Sequence, residues 1–184
     1  TPILASGANA LTKTGAGTLN LTGANTFTGN VYLNGGTTTF STNYSSADTT
    51  GVFGSGGKNI YLNGGTLKNA SSNTFNPTAT GLKVVFNSAG GTVDLNGQQF
   101  QLDDASQLSG AGNAYFINSG AAATIYLGNQ AYTGFTGNLF VQNTTNGLTL
   151  KLLNANAAGN NGTNIIMGSN TALDLQASIN NNVF

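Results

Sequence analysis

The stretch LTKTGAGTLNLTGANTFTGNVYLNGGTTTF, residues Leu11 to Phe40, decides the fold. Leu19 and Leu21 flank Asn20, Val31 and Leu33 flank Tyr32, and Thr38 and Phe40 flank Thr39. Alternation with period two marks a short strand that buries one side. Between these triplets lie Thr22-Gly23-Ala24-Asn25, Thr28-Gly29-Asn30 and Asn34-Gly35-Gly36. Gly and Asn tolerate positive φ, so these segments read as tight turns. Strands of three or four residues are not stable alone and require many neighbours of the same kind.

The neighbours are internal repeats. Asn30-Val-Tyr-Leu-Asn-Gly-Gly-Thr37 returns as Asn59-Ile-Tyr-Leu-Asn-Gly-Gly-Thr66, and more loosely as Val85-Phe-Asn-Ser-Ala-Gly-Gly-Thr92. A longer offset, 105 or 106 residues, pairs Thr18–Leu21 with Thr124–Leu127, and Gly54–Leu62 with Gly159–Met167. The expected organisation is one β-solenoid domain over residues 1–184, with a super-repeat over 1–105 and an incomplete second copy over 106–184.

Composition narrows the class. Charged residues are 5% of the chain, against about 25% in ordinary domains. Five Lys balance five Asp, and Arg, Glu and His are absent. With zero net charge there is no basic surface for nucleic acid or anionic lipid. Solubility falls to 28 Asn, 26 Thr and 27 Gly, while 39% hydrophobic residues in strict alternation argue against disorder. Cysteine is absent, so the core and not disulfides must stabilise the fold. No apolar run is long enough for a membrane-spanning helix, and no membrane insertion by this segment is expected. The chain starts at Thr1 with no signal peptide, which reads as a mature product or a piece of something longer.

No window holds a 3.6-residue period, and a sandwich would show longer strands at regular spacing. Short strands, Gly/Asn turns and a repeat of about 26 to 29 residues predict a right-handed parallel β-helix, that is, a β-solenoid. Roughly seven coils at ~4.8 Å each give a rod about 34 Å long. The inward positions are Leu19, Leu21, Val31, Leu33, Ile60, Leu62, Val93, Leu95, Phe100, Leu102, Ile125, Leu127, Leu139, Val141, Leu148, Leu150, Leu152, Ile165, Met167, Leu173 and Leu175.

Leu11 to Gly29 closely resembles the autotransporter passenger-associated β-strand repeat, LTKxGxGTLTLxGxNTYTG, with Asn20 and Phe27 as mild departures. Gly90-Gly-Thr-Val-Asp-Leu-Asn-Gly97 is similar to segments between such repeats, and Leu108 to Gly134 is a degenerate second copy. The resemblance implies a β-helical passenger on a Gram-negative surface, extracellular or on the outer face, in proteins used for adhesion, aggregation or a surface coat. It carries over no catalytic residue.

The residues offer little chemistry. The carboxylates are Asp48, Asp94, Asp103, Asp104 and Asp174. Hydrolysis on a β-helix needs paired carboxylates with basic helpers. Asp103 and Asp104 are adjacent and read as turn formers, while Asp94 and Asp174 read as solvated outward positions. The Gly-rich turns lack the Asp that calcium repeats require, and no Cys or His exists for a transition metal. No enzyme, cofactor or metal site is therefore expected, with an isolated weak calcium site at Asp103 and Asp104 as the alternative. Tyr32, Tyr61, Tyr126 and Phe140 each occupy the outward middle of an apolar triplet, and would form an aromatic stripe if those triplets share one face. The competing expectation is that loops such as Asn43 to Gly51 fold over that stripe. Asn34 and Asn63 occupy equivalent turns and are expected to stack as an amide ladder.

The best reading is a structural or adhesive extracellular solenoid, a passenger or filament-forming surface protein. The alternative is a glycan- or ice-binding module using exposed Thr and aromatic faces such as Thr37-Thr-Thr39. No capping helix is visible around Ser6-Gly7 or in Ile179–Phe184. The expected partners are therefore adjoining coils or copies of the same chain end to end, and a glycan or cell surface.

Overall fold

Apart from one hairpin, consecutive strands of this chain fall in different sheets, and each strand pairs with the one a single pass away. That relation makes a solenoid. A computed structural model describes residues 8–41, 50–77, 81–128, 130–143, 146–160 and 162–184. The first face is β1 (Leu11–Lys13), β3 (Val31–Leu33), β7 (Asn59–Leu62), β9 (Lys83–Phe86) and β12 (Leu108–Ser109). The second is β2 (Thr18–Leu21), β4 (Thr37–Phe40), β8 (Thr66–Asn69), β10 (Gly91–Asp94), β13 (Ala114–Ile117), β15 (Leu139–Gln142), β17 (Asn164–Met167) and β19 (Asn182–Val183). The third is β11 (Phe100–Leu102), β14 (Ala123–Leu127), β16 (Leu148–Leu152) and β18 (Thr171–Leu175). Pairing within all three sheets is parallel. No helix among the described residues is long and apolar enough to cross a membrane.

About five turns of the solenoid carry all three faces, fewer than the roughly seven coils expected from repeat spacing. The third face accounts for the difference. It begins only where Phe75 bridges Phe100, so the passes through β1–β2 and β3–β4 give strands to the first two faces alone among the described residues. β19, two residues long, is a partial pass.

Between the second and third passes the chain makes an antiparallel hairpin, β5 (Thr50–Gly51) with β6 (Gly54–Ser55). Its turn residues Val52 and Phe53 are fully buried. Asn25 holds the hairpin through its backbone N–H to the Gly51 carbonyl (3.0 Å) and its Nδ2 to the Val52 carbonyl (2.6 Å). Asn43 to Asp48 of the loop expected to cover the aromatic stripe lie outside the described residues, as do Ser6 and Gly7.

Alternation sets the core. β3, β7 and β9 stack Val31 on Ile60 on Val84, and Leu33 on Leu62 on Phe86, all with no exposed surface. Seven phenylalanines then form a connected run through the interior. Phe53 meets Phe40, Phe40 meets Phe75, and Phe75 stacks on Phe100 at 5.2 Å. Phe100 meets Phe116, Phe116 meets Phe86, and Phe86 meets Phe135. Each such contact adds about 0.5–1.5 kcal/mol beyond apolar burial. Most of the expected inward residues are buried, but Leu19, Met167 and Leu173 are only partly so and Leu175 is 46% exposed. Among the described residues Leu19 lies on the first strand of the second face, Leu173 and Leu175 on the last strand of the third, and Met167 on β17 beyond the two residues that β19 pairs.

The coils approach so closely that some corners admit only glycine. Gly54, at φ 88°, lies against the Phe27 carbonyl one pass earlier, where a Cβ would come within 2.0 Å of the oxygen. Gly110 and Gly159 repeat this placement against the Phe86 and Phe135 carbonyls.

The expected amide ladder exists on other residues. Asn113, Asn138, Asn164 and Asn182 are linked in series, each Oδ1 accepting from the next asparagine. Asn30 likewise accepts the Asn59 N–H at 3.0 Å. The ladder forms where asparagine enters a strand, since there its side chain points along the axis. Asn63 instead accepts the Ala89 N–H.

Candidate functional site

Period two turns every residue between two core positions outward, and parallel register stacks it on its counterpart one pass away. On the first face the outward row is Thr12, Tyr32, Tyr61, Val85 and Ser109. Tyr32 and Tyr61 are stacked, with centroids 4.9 Å apart and planes within 9°. Asn59 Nδ2 donates to the Tyr61 hydroxyl at 2.7 Å. On the second face the row is Thr18, Thr37, Thr66, Thr92, Tyr115, Phe140 and Ile166. It changes from threonine to apolar side chains along the axis, and Tyr115 and Phe140 stack at 4.6 Å. On the third face the row is Gln101, Tyr126, Lys151 and Asp174.

Tyr32, Tyr61, Tyr126 and Phe140 therefore do not form one stripe. They fall on three faces: a Tyr32–Tyr61 pair, a Phe140 pair with Tyr115, and Tyr126 beside Lys151. The same apolar-aromatic-apolar grammar serves every face of a solenoid, so alternation separates inside from outside but not one face from another. Tyr115 escaped the sequence reading because small Ala114 holds the inward position before it. Its signal was the 25-residue offset to Phe140.

Asp94 is buried, not solvated. The pairing of β8 with β10 sets Lys68 beside it, and Lys68 Nζ lies 3.0 Å from Asp94 Oδ2. The next pass folds Ser119 over the carboxylate, donating from its N–H at 3.0 Å and its hydroxyl at 2.7 Å. Burial alone pushes this carboxyl up. The Ser119 hydroxyl, Lys68 and the Ser119 N–H outweigh burial and hold it below its ordinary value. Lys151 and Asp174 pair similarly across β16 and β18, at 3.3 Å and more exposed. The sequence missed both pairs because the two partners are joined only through strand register.

Asp104 forms the expected turn, accepting from the Ser106 hydroxyl at 2.7 Å and the Ser106 N–H at 2.8 Å. These bonds, the hydroxyl first, hold its carboxyl below the usual range. Asp103 instead accepts from Gln101 Nε2 at 2.8 Å and Asn76 Nδ2 at 3.0 Å. Asp48 lies outside the described residues. Among the described residues no three Asp side chains gather to hold a metal ion.

Two other titratable groups are buried. Lys58 Nζ donates to the Phe27 carbonyl at 2.6 Å and sits 4.5 Å over the Phe27 ring, and desolvation lowers its pKa. Tyr132 donates to the Leu102 carbonyl, and burial raises its pKa, with Asp103 adding to the shift. Both residues tie one pass to another. An open cleft of about 210 Å³, lined by Ile117, Asn118, Ser119, Gln142 and Asn143, carries no carboxylate.

Residues 11–40 match the family described as passenger-associated-transport-repeat. The match begins with β1 and ends with β4, so it covers the first two passes of the solenoid. Over 135 residues, 71% of this chain, the sequence is 34% identical to the adhesin BmaC autotransporter of Brucella suis biovar 1 (strain 1330). The matched stretch spans 3% of that protein's length. No solved structure matches this chain. The resemblance carried by Leu11 to Gly29 thus holds, and the chain is a parallel β-solenoid bearing the passenger repeat of autotransporters.

Proposed function

We propose that this chain is a structural and adhesive, non-catalytic segment displayed on the outer surface of a bacterium or released from it. One observation carries the reading: the residues that match the passenger repeat are the same residues that build the first two passes of the solenoid. The likeness to an autotransporter adhesin supports it. The outward rows also support it, since they offer flat polar and aromatic surface without a catalytic grouping of side chains among the described residues. The winding is right-handed, the sense parallel crossovers favour. Axial stacking belongs to the same reading. The last passes leave Leu175, Val183 and Phe184 at 46%, 45% and 69% exposure, apolar surface that an adjoining coil or a second copy covers.

Beads coated with the purified chain should adhere to animal cells more than beads coated with a solenoid of unrelated surface. Replacing Tyr115 and Phe140 together by Ser should reduce adhesion while far-UV circular dichroism stays unchanged. Adhesion no better than the control removes the adhesive reading. Sedimentation velocity over a concentration series tests the stacking, and a concentration-independent monomer argues against a second copy as the axial neighbour.

A further inference from the structure

The sequence holds five Asn-Gly pairs: Asn34-Gly35, Asn63-Gly64, Asn96-Gly97, Asn146-Gly147 and Asn161-Gly162. In such a pair the glycine amide nitrogen can attack the asparagine side chain, because no Cβ shields it. Attack needs a glycine N–H free of other bonds and an asparagine side chain free to rotate. The fold treats the four described pairs differently, and we propose that Asn34-Gly35 is a site of spontaneous deamidation, singled out by the structure among them.

Two pairs are locked. The Gly64 N–H donates to the Gly90 carbonyl at 2.7 Å, and Asn63 Oδ1 accepts the Ala89 N–H. The Gly97 N–H donates to Asn118 Oδ1 at 2.8 Å, and the Asn96 N–H donates to Asp94 Oδ1 at 3.0 Å. Asn146 is tethered in part, its Nδ2 donating to the Gly120 carbonyl. Asn161 lies outside the described residues.

Asn34 differs on both counts. It is exposed at the corner between β3 and β4, and its side chain makes no hydrogen bond among the described residues. Its backbone N–H donates to the Lys13 carbonyl at 2.9 Å, which fixes the corner without engaging the amide group. Among the described residues the Gly35 N–H has no acceptor, and the Gly35 carbonyl accepts from Lys13 Nζ at 3.2 Å. The coil therefore holds the corner in place, with the Asn34 amide exposed and the half-buried Gly35 N–H unbonded among the described residues.

The chemistry is closed. The Gly35 amide loses its proton to solvent base, and its nitrogen bonds to Asn34 Cγ. The Cγ–Nδ2 bond breaks and ammonia leaves, giving a five-membered succinimide. Water then adds to either imide carbonyl and reopens the ring to aspartate or isoaspartate. One amide and one water become one carboxylate and one ammonium ion. The chain passes from zero to one net negative charge, one residue from the carbonyl that Lys13 holds. The isoaspartate product also adds a backbone methylene at a coil corner.

The test is timed incubation of the intact chain in mildly alkaline, ammonia-free buffer, with peptide mass spectrometry locating each one-dalton gain. Asn34 should convert first, with Asn63 and Asn96 on the order of tenfold slower, since in each the glycine N–H must first leave its hydrogen bond. Gly35→Ala is the control. A Cβ there would lie 3.5 Å from the Gly15 carbonyl oxygen, an ordinary contact, so the variant should fold normally and slow conversion at Asn34. In concentrated urea the wild-type pairs should react at similar rates. Equal conversion of Asn34, Asn63 and Asn96 in the folded chain overturns the proposal. So does an unchanged Asn34 rate in Gly35→Ala, or the same ranking in urea.

Discussion

Truncating Leu62 should cost far more stability than truncating its neighbour Tyr61. Leu62 has no exposed surface and lies between Leu33 and Phe86 in the first sheet. Its side chain also packs on Gly91 of the second sheet, where an added Cβ would come within 2.3 Å of Leu62 Cβ. The walls around Leu62 are thus partly backbone, held in two parallel ladders, and cannot collapse into a void. Leu→Ala changes cost about 2–5 kcal/mol, and poor relaxation places Leu62→Ala near 3–4 kcal/mol. Tyr61 points outward, and its loss removes one ring stack and one hydrogen bond, about 1–2 kcal/mol together. Urea titration followed by far-UV circular dichroism measures both, provided the slopes stay equal, because stacked coils need not unfold in one step. Equal midpoint shifts, or a larger shift for Tyr61→Ala, would refute the assignment of faces.

Three more outcomes follow from the geometry. Asp94 is held below its ordinary 3.8, so its ionisation favours the fold above that value and the benefit disappears as pH falls through its folded pKa. As pH falls below about 4, wild type should lose stability more steeply than Asp94→Asn, and parallel acid titrations would show that the Lys68–Asp94–Ser119 cluster is not the cause. Burial lowers Lys58 from 10.5, so its protonation opposes folding until pH rises past that value. Because the Phe27 carbonyl keeps the Ser55 N–H at 3.1 Å, Lys58→Met should hold or gain stability at neutral pH and lose wild type's alkaline rise; a loss above about 2 kcal/mol would refute this. Gly112→Ala places a Cβ 1.6 Å from the Asn87 carbonyl oxygen, whereas Gly17→Ala meets nothing within 4 Å. The first should lose about 2–4 kcal/mol or fail to fold and the second stay within about 1 kcal/mol, as thermal melts would report.

The sequence alone determined the class of fold and most of the inside-outside pattern. Alternation around Asn20, Tyr32 and Tyr61, with Gly/Asn turns between, leaves a short strand with one buried side, and only many stacked copies make that stable. The passenger repeat was legible for the same reason, since its Leu, Gly and Asn positions are the ones each pass requires. Local pattern says nothing about which face a strand joins or how far each sheet extends. Those follow from how each corner turns and where register places the next pass. Hence the tertiary structure alone separated Tyr32, Tyr61, Tyr126 and Phe140 onto three faces, set the turns at about five and left Leu175 exposed. It also decided which polar groups meet. Asp94 and Lys68 are 26 residues apart and neighbours only through parallel pairing. The seven-phenylalanine run joins residues from Phe40 to Phe135 across successive passes, a contact set no period along the chain encodes.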